Sequence, residues 1–244
     1  MTADLLVYAL VAAGLVFWLR SILGTRHGDE RQRENPLTRP PLEANPDNMN
    51  PFAEEEREMT GEDRVKKLAA DSGGKISIDG ATVEAGLIDI ARADREFDVG
   101  FFMDGAQEAF AIIVEAFAAG DRETLKDLLG PAVYHAFEAA ITAREQRGEK
   151  QETQIRAIRK AEAIEAGVSA RSKANITVRF TADEVSVTRN SAGEIIDGHP
   201  EKLTAMRDVW TFSRDTKSRD PRWLVIETRG DFEDDNKILP NTIQ

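Results

Sequence analysis

The apolar positions along the chain fall into three successive patterns: unbroken, helical and alternating. The unbroken run comes first. Leu5 to Leu19 reads LLVYALVAAGLVFWL without a charge, and continuing past Arg20 to Leu23 gives 19 residues, close to the ~20 that span a hydrocarbon core of ~30 Å. This predicts a membrane anchor over residues 1–24. Tyr8 and Trp18 stand near its opposite ends, where interfacial aromatics belong, and Arg20 can snorkel its charge to the headgroups. A cleaved signal peptide would need a positive leader and a small-residue cleavage site. Here Asp4 is the only charged side chain before the run, which closes on Trp18-Leu19-Arg20.

Residues 25–75 read as a flexible, Pro-rich and charged linker. Pro36, Pro40, Pro41, Pro46 and Pro51 favour extended backbone over helix. Thr60-Gly61-Glu62-Asp63 is a helix start for a short segment ending near Ala70. Its apolar side holds only Val65, Leu68 and Ala69. The expectation is a solvated linker helix, with a partner-docking helix as the alternative.

The helical pattern follows. Leu87, Ile88, Ile90 and Ala91 mark a short amphipathic helix. Asp98 then caps a stronger one, buried along Phe102, Ala106, Ala109, Phe110, Ile113 and Phe117. Gly120 stops it, Asp121 caps a helix with Leu125, Leu128 and Leu129 inward, and Gly130-Pro131 breaks again. Val133, Tyr134, Phe137 and Ile141 carry a further helix to Gly148. After that the period is two. Ala174 to Phe180 alternates cleanly, Val185 and Val187 follow, and Asn190 to Gly193 turns into Glu194-Ile195-Ile196. Met206 to Phe212 and Trp223 to Thr228 are two more strands. Residues 150–166 are ambiguous: their propensity is helical, yet Ile155, Ala157, Arg159, Ala161 and Ala163 fit one face of a long strand. Helices followed by strands predict an α+β domain over 76–230, with helices packed on one face of a curved antiparallel sheet. An acidic tail over 231–244 is expected to be frayed and solvated.

Composition narrows the function. With 32 Lys+Arg against 44 Asp+Glu the net charge is −12, which argues against general nucleic-acid binding and hence against DNA as a partner. No cysteine and three histidines leave little material for thiol, triad or zinc chemistry. The expectation is no catalytic residue, no metal and no cofactor. Arg20, Arg26, Arg31 and Arg33 all follow the apolar run. The positive-inside rule then puts the N-terminus in the periplasm and the domain in the cytoplasm of a bacterial inner membrane.

Within the domain, Phe101, Phe102, Phe110, Phe117, Tyr134, Trp210, Phe212 and Trp223 are candidates to line a lipid or peptide pocket; the alternative is ordinary core packing. Asp208 shares a strand face with Trp210 and Phe212, so it is a candidate pocket acid with a raised pKa. His135 has no partners at metal-ligand spacing. Arg144, Arg147, Lys150, Arg156, Arg159, Lys160, Arg171 and Lys173 make a locally basic stretch, eight cations against five acids from 144 to 173. It suits anionic headgroups, ribosomal RNA or a salt-bridged solvated face.

An ordered set of short matches carries a family resemblance. It begins with Gly86-Leu87-Ile88, Asp94, Phe97-Asp98, Phe101-Phe102 and Gly105-Ala106. It continues through Ala116-Phe117, Gly120-Asp121, Leu128-Leu129, Val133-Tyr134, Phe137 and Ile141 to Arg144. It closes with Asp208, Trp210, Phe212, Arg214 and Trp223-Leu224. Over roughly 83–229 the chain resembles the Tim44-like family, which includes an alphaproteobacterial branch. The resemblance implies a cone-like domain akin to the nuclear-transport-factor-two-like fold, with an apolar pocket, and it makes 150–166 a strand. It also implies docking on the inner membrane, particularly on cardiolipin, and on translocase, insertase, chaperone or ribosome partners, with no catalytic residues. The function it implies is a membrane-anchored, non-enzymatic adaptor. A lipid-binding module using the pocket, and an enzyme using Asp208, are the other readings. Mitochondrial members carry a long, charged, helical N-terminal region where this chain has a short Pro-rich linker.

Overall fold

The computed structural model describes residues 59–71 and 74–231. The anchor over 1–24, the Pro-rich stretch and all of the acidic tail except Asp231 lie outside the described residues. Among the described residues, no helix is long and apolar enough to cross a membrane.

The helical half is written in its caps. Helix α1 (Gly61–Ala70) opens with the expected capping box: the Asp63 N–H donates to Thr60 Oγ1, and Asp63 Oδ2 accepts from the Thr60 N–H, each at 3.2 Å. A short strand β1 (Ile76–Ile78) and helix α2 (Gly80–Ala93) follow. Helix α3 (Val99–Ala119) starts at Asp98, whose carboxylate accepts the Phe101 N–H at 3.0 Å, and stops at Gly120 in the left-handed region at φ 75°. Asp121 caps α4 (Arg122–Leu128) by accepting the Thr124 N–H at 3.1 Å, and Pro131 opens α5 (Pro131–Gln146).

Helix α1 is not the solvated linker helix of the sequence reading. Val65 is fully buried and Leu68 packs on the core. Ion pairs Arg92–Glu62 (3.0 Å) and Arg64–Asp98 (2.6 Å) tie it to α2 and to the start of α3. What the apolar count missed is a small-residue contact: a Cβ at Gly61 would stand 3.1 Å from Ala91 Cβ, so two short residues let the helices meet. The packed domain therefore begins at α1 rather than at residue 76.

The strands are β2 (Lys150–Val168), β3 (Lys173–Arg189), β4 (Ile195–Gly198), β5 (Thr204–Asp215) and β6 (Leu224–Gly230). The sheet order is β1-β2-β3-β5-β6, with β4 paired to β3. Only the β1–β2 pair is parallel among the described strands. The sheet is thus mixed, not antiparallel as expected, because three residues at Ile76–Ile78 are too few to announce a strand by pattern. Residues 150–166 are strand, so pairing along β3 overrides local helix propensity. The single expected face of β2 does not survive: irregularities at Ile155/Ala157 and Ile158/Lys160 leave Ala157 and Arg159 exposed, while Ala161 and Ala163 are fully buried.

Helices α2 and α3 lie on β2, and the approach of α2 depends on Gly86. A Cβ there would come within 2.1 Å of the Ala166 carbonyl oxygen. The core sits between the helices and the inner sheet face, where Ile176, Val178 and Phe180 of β3 stand opposite Phe212, Trp210 and Asp208 of β5.

Candidate functional site

Most of the aromatic side chains expected to line a pocket instead fill the core. Phe110 stacks on Phe180 at 4.5 Å between centroids and meets Trp210 at 4.8 Å. Phe102 meets Phe212 edge-on at 5.6 Å and Trp223 at 4.8 Å. Phe117 packs on Phe137 at 4.9 Å. Tyr134 is partly buried beside Glu138, to which its hydroxyl donates at 3.3 Å. Phe110, Trp210 and Phe212 are buried within this cluster, and Phe102 and Trp223 border only a small cleft of about 30 Å³.

The wide concavity lies elsewhere, with Phe101 as its one member of the expected set. A groove of about 710 Å³ runs between α1 and the first turn of α3. Met59, Leu68, Val99 and Phe101 supply its apolar wall. Arg64, Lys67, Asp71, Asp98 and Asp104 supply charges of both signs. The capping box that starts α1 and the Asp98 cap that starts α3 fix the two walls. Arg64, bonded to Asp98, bridges them. Charges of both signs around an apolar strip can hold an amphipathic protein segment. Among the described residues, no group of three or more His, Asp or Glu is placed to hold a metal ion. Sequence reading missed Met59, Arg64 and Lys67; the signal available was the Val65 and Leu68 side of a helix assigned to solvent.

Asp208 lies where its strand period places it, on the inner face between Phe180 of β3 and Gly230 of β6. It is buried, and its Oδ2 has no hydrogen-bond partner; neither have the Trp210 indole N–H and the Thr228 hydroxyl. Burial, with the negative charges of Glu184 and Asp231, pushes its carboxyl up to about 7; the Trp210 indole N–H opposes this in part, without the geometry of a full hydrogen bond. The raised pKa expected of a pocket acid is there, in a packed core.

The basic stretch is largely neutralised. Arg147 pairs with Glu149, Arg159 with Asp183, Lys160 with Glu162 and Lys173 with Asp215. Arg144 is buried, donating to the Phe117 and Ala118 carbonyls at 2.8 Å and so capping the end of α3. Lys150, Arg156 and Arg171 are exposed. His135 is exposed, 3.7 Å from Glu138. On the outer sheet face a ladder of ion pairs runs Lys160–Glu162–Arg179–Asp231–Arg207, each contact between 2.6 and 3.0 Å. Burial works against the charge on Glu162, but hydrogen bonds from Lys160 and Arg179 outweigh it and hold its carboxyl below the usual range. Asp231, assigned to a frayed tail, is therefore fastened: its N–H also donates to the Arg207 carbonyl at 2.9 Å.

Helices over one face of a curved mixed sheet, with a packed aromatic interior and a mixed-charge groove, define an α+β domain. Residues 83–230 match the Tim44-like domain, and the chain belongs to the Tim44-like family. The mitochondrial import inner membrane translocase subunit TIM44 of Mus musculus is 29% identical over 144 residues. Its human counterpart is 26% identical over 144 residues. Each match covers 58% of this chain and 32% of the relative, so the chain spans about a third of the length of the curated relatives it matches. Among solved structures, the intermembrane space region of the chloroplast protein ARC6 matches with a TM-score of 0.39 at 14% identity, covering 52% of this chain and 95% of that one. That likeness is too slight to bear on function.

Proposed function

We propose that this protein is a membrane-anchored, non-enzymatic adaptor that links an inner membrane to protein-translocation or membrane-assembly machinery. The observation that carries this reading is the Tim44-like domain at 83–230, in a family with relatives that are translocase subunits. The uncharged run from Leu5 to Leu19 supplies the anchor, and the arginines that follow it orient the domain to the cytoplasm of a bacterial cell. Partners are a translocase, insertase, chaperone or ribosome, with anionic lipid such as cardiolipin as a further contact. The adaptor reading assigns a structural role to the buried Asp208, whose Oδ2 has no hydrogen-bond partner.

The test separates tether from domain. Replacing Leu5–Leu23 by an unrelated membrane span should preserve translocation of a reporter protein in cells lacking the native chain. Removing residues 1–24 should impair it at equal protein level. Full activity from the chain without residues 1–24 would contradict the tether.

A further inference from the structure

The groove between α1 and α3 opens where the chain enters the packed domain. Met59, the first described residue, is half-buried on the apolar wall, so the residues before it issue from the groove itself. Helix α1 then runs along the groove to Asp71. Its 10 residues span about 15 Å. The stretch from Phe52 to Glu58 reaches up to about 23 Å when extended. Laid back along α1, it is long enough to cover the whole groove.

The chemistry of this stretch complements the groove. Phe-Ala-Glu-Glu-Glu-Arg-Glu at 52–58 holds one large apolar side chain, four acids and one cation. Glu54, Glu55 and Glu56 suit Arg64 and Lys67, the cations that α1 presents to the groove. Phe52 suits the apolar strip of Leu68, Val99 and Phe101. Of the groove's own acids, Asp98 is matched by Arg64 at 2.6 Å, while Asp71 and Asp104 offer Arg57 a counter-charge. Attachment at Met59 makes the contact intramolecular. A short tether gives an effective concentration on the order of 1 mM, so a segment whose free peptide binds at ~0.1 mM is docked about nine-tenths of the time.

We propose that residues 52–58 of the same chain dock in the α1–α3 groove, with Phe52 on the strip of Leu68, Val99 and Phe101 and the glutamates against Arg64 and Lys67. The docked segment shields the groove. An outside protein reaches this surface only by displacing the segment with one of the same aromatic and acidic chemistry. This goes beyond the adaptor reading, which does not depend on it.

The probe is a fluorescent peptide with the sequence of residues 51–58, titrated by anisotropy into the full chain in phosphatidylcholine nanodiscs. The comparison is a full-length variant whose own segment is disabled by Phe52→Ser, Glu55→Lys and Glu56→Lys, all placed before the packed domain begins. This variant should bind the peptide saturably, and the wild-type chain about tenfold more weakly, because its own segment competes. Adding Phe101→Ser to the variant should weaken binding at least tenfold. Adding Lys67→Glu, at an exposed site that leaves the core untouched, should weaken it at least threefold, and a peptide carrying Lys at positions 55 and 56 should recover that loss. Absence of binding to the disabled variant, equal affinity for variant and wild type, or binding unmoved by the two groove changes overturns the proposal. So does self-association of the wild-type chain that the disabled variant loses, because the segment of a second copy is then the occupant.

Discussion

The aromatic interior and the apolar wall of the α1–α3 groove are built by opposite means. The interior gathers residues that repeat every three or four positions on α3 and every two on β3 and β5. Such spacing signals a face that will be covered, and it is covered: Phe110, Phe180 and Trp210 lie within 4.5 to 6.0 Å of one another. The groove joins Met59 and Leu68, at the two ends of helix α1, to Val99 and Phe101 in the first turn of α3, about 30 to 40 positions further along the chain. Periodicity reports packing. Concavity comes from where elements end, and no local pattern carries it.

The sharpest way to break that contrast is to truncate one side chain in each region. Trp210→Ala should cost about 3–5 kcal/mol, as large aromatic deletions in packed cores do. Phe101→Ala, on an open groove wall, should cost about 1 kcal/mol or less. Denaturant unfolding reads both, and similar losses would mean that the groove is as tightly packed as the core.

Gly86→Ala comes next. Its methyl group would collide with the Ala166 carbonyl and push α2 off β2, at about 1–3 kcal/mol. Gly167→Ala, with open space around the added methyl, is the control and should stay within about 0.5 kcal/mol. A neutral Gly86→Ala would show that α2 approaches β2 less closely.

Asp208 gives a pH-dependent test of the interior. Its carboxyl is pushed up to about 7 from an ordinary 3.8, so the folded state holds the proton more tightly than the unfolded chain. Its contribution is therefore fully present below pH 3.8 and is lost as pH rises through 7, at about 1.4 kcal/mol for each unit of difference. The stability of the wild-type chain relative to Asp208→Asn should fall between pH 4 and 8, measured by urea unfolding at each pH. A flat difference would place the carboxyl in water. The smallest effect is expected at Asp231→Ala, about 1 kcal/mol or less, because the ion pairs to Arg179 and Arg207 are partly exposed.

Legibility in the sequence follows the range of the interactions. Thr60, Asp98, Asp121 and Gly120 were readable because a cap is settled within four residues. Strands β3 and β5 were readable because one face of each is buried. Strand β2 was not readable from propensity, since its state depends on sixteen pairings with β3, supplied by residues up to about 40 positions away; the family resemblance settled it. The packing of α1 was missed because Gly61 against Ala91 is a fit of shapes rather than a run of large apolar residues. Ile195 and Ile196 were read correctly as strand, but their exposure depends on β5 ending its pairing at Glu184, which is a property of the whole sheet.

The most direct measurement of the adaptor claim is affinity purification of the tagged full-length protein from mildly solubilised native membranes, with mass spectrometry of proteins and lipids. The account predicts recovery of translocase, insertase, chaperone or ribosomal proteins in stoichiometric amount, lost when residues 83–230 are deleted. Recovery of lipid alone, with no protein whose yield depends on the domain, would contradict it.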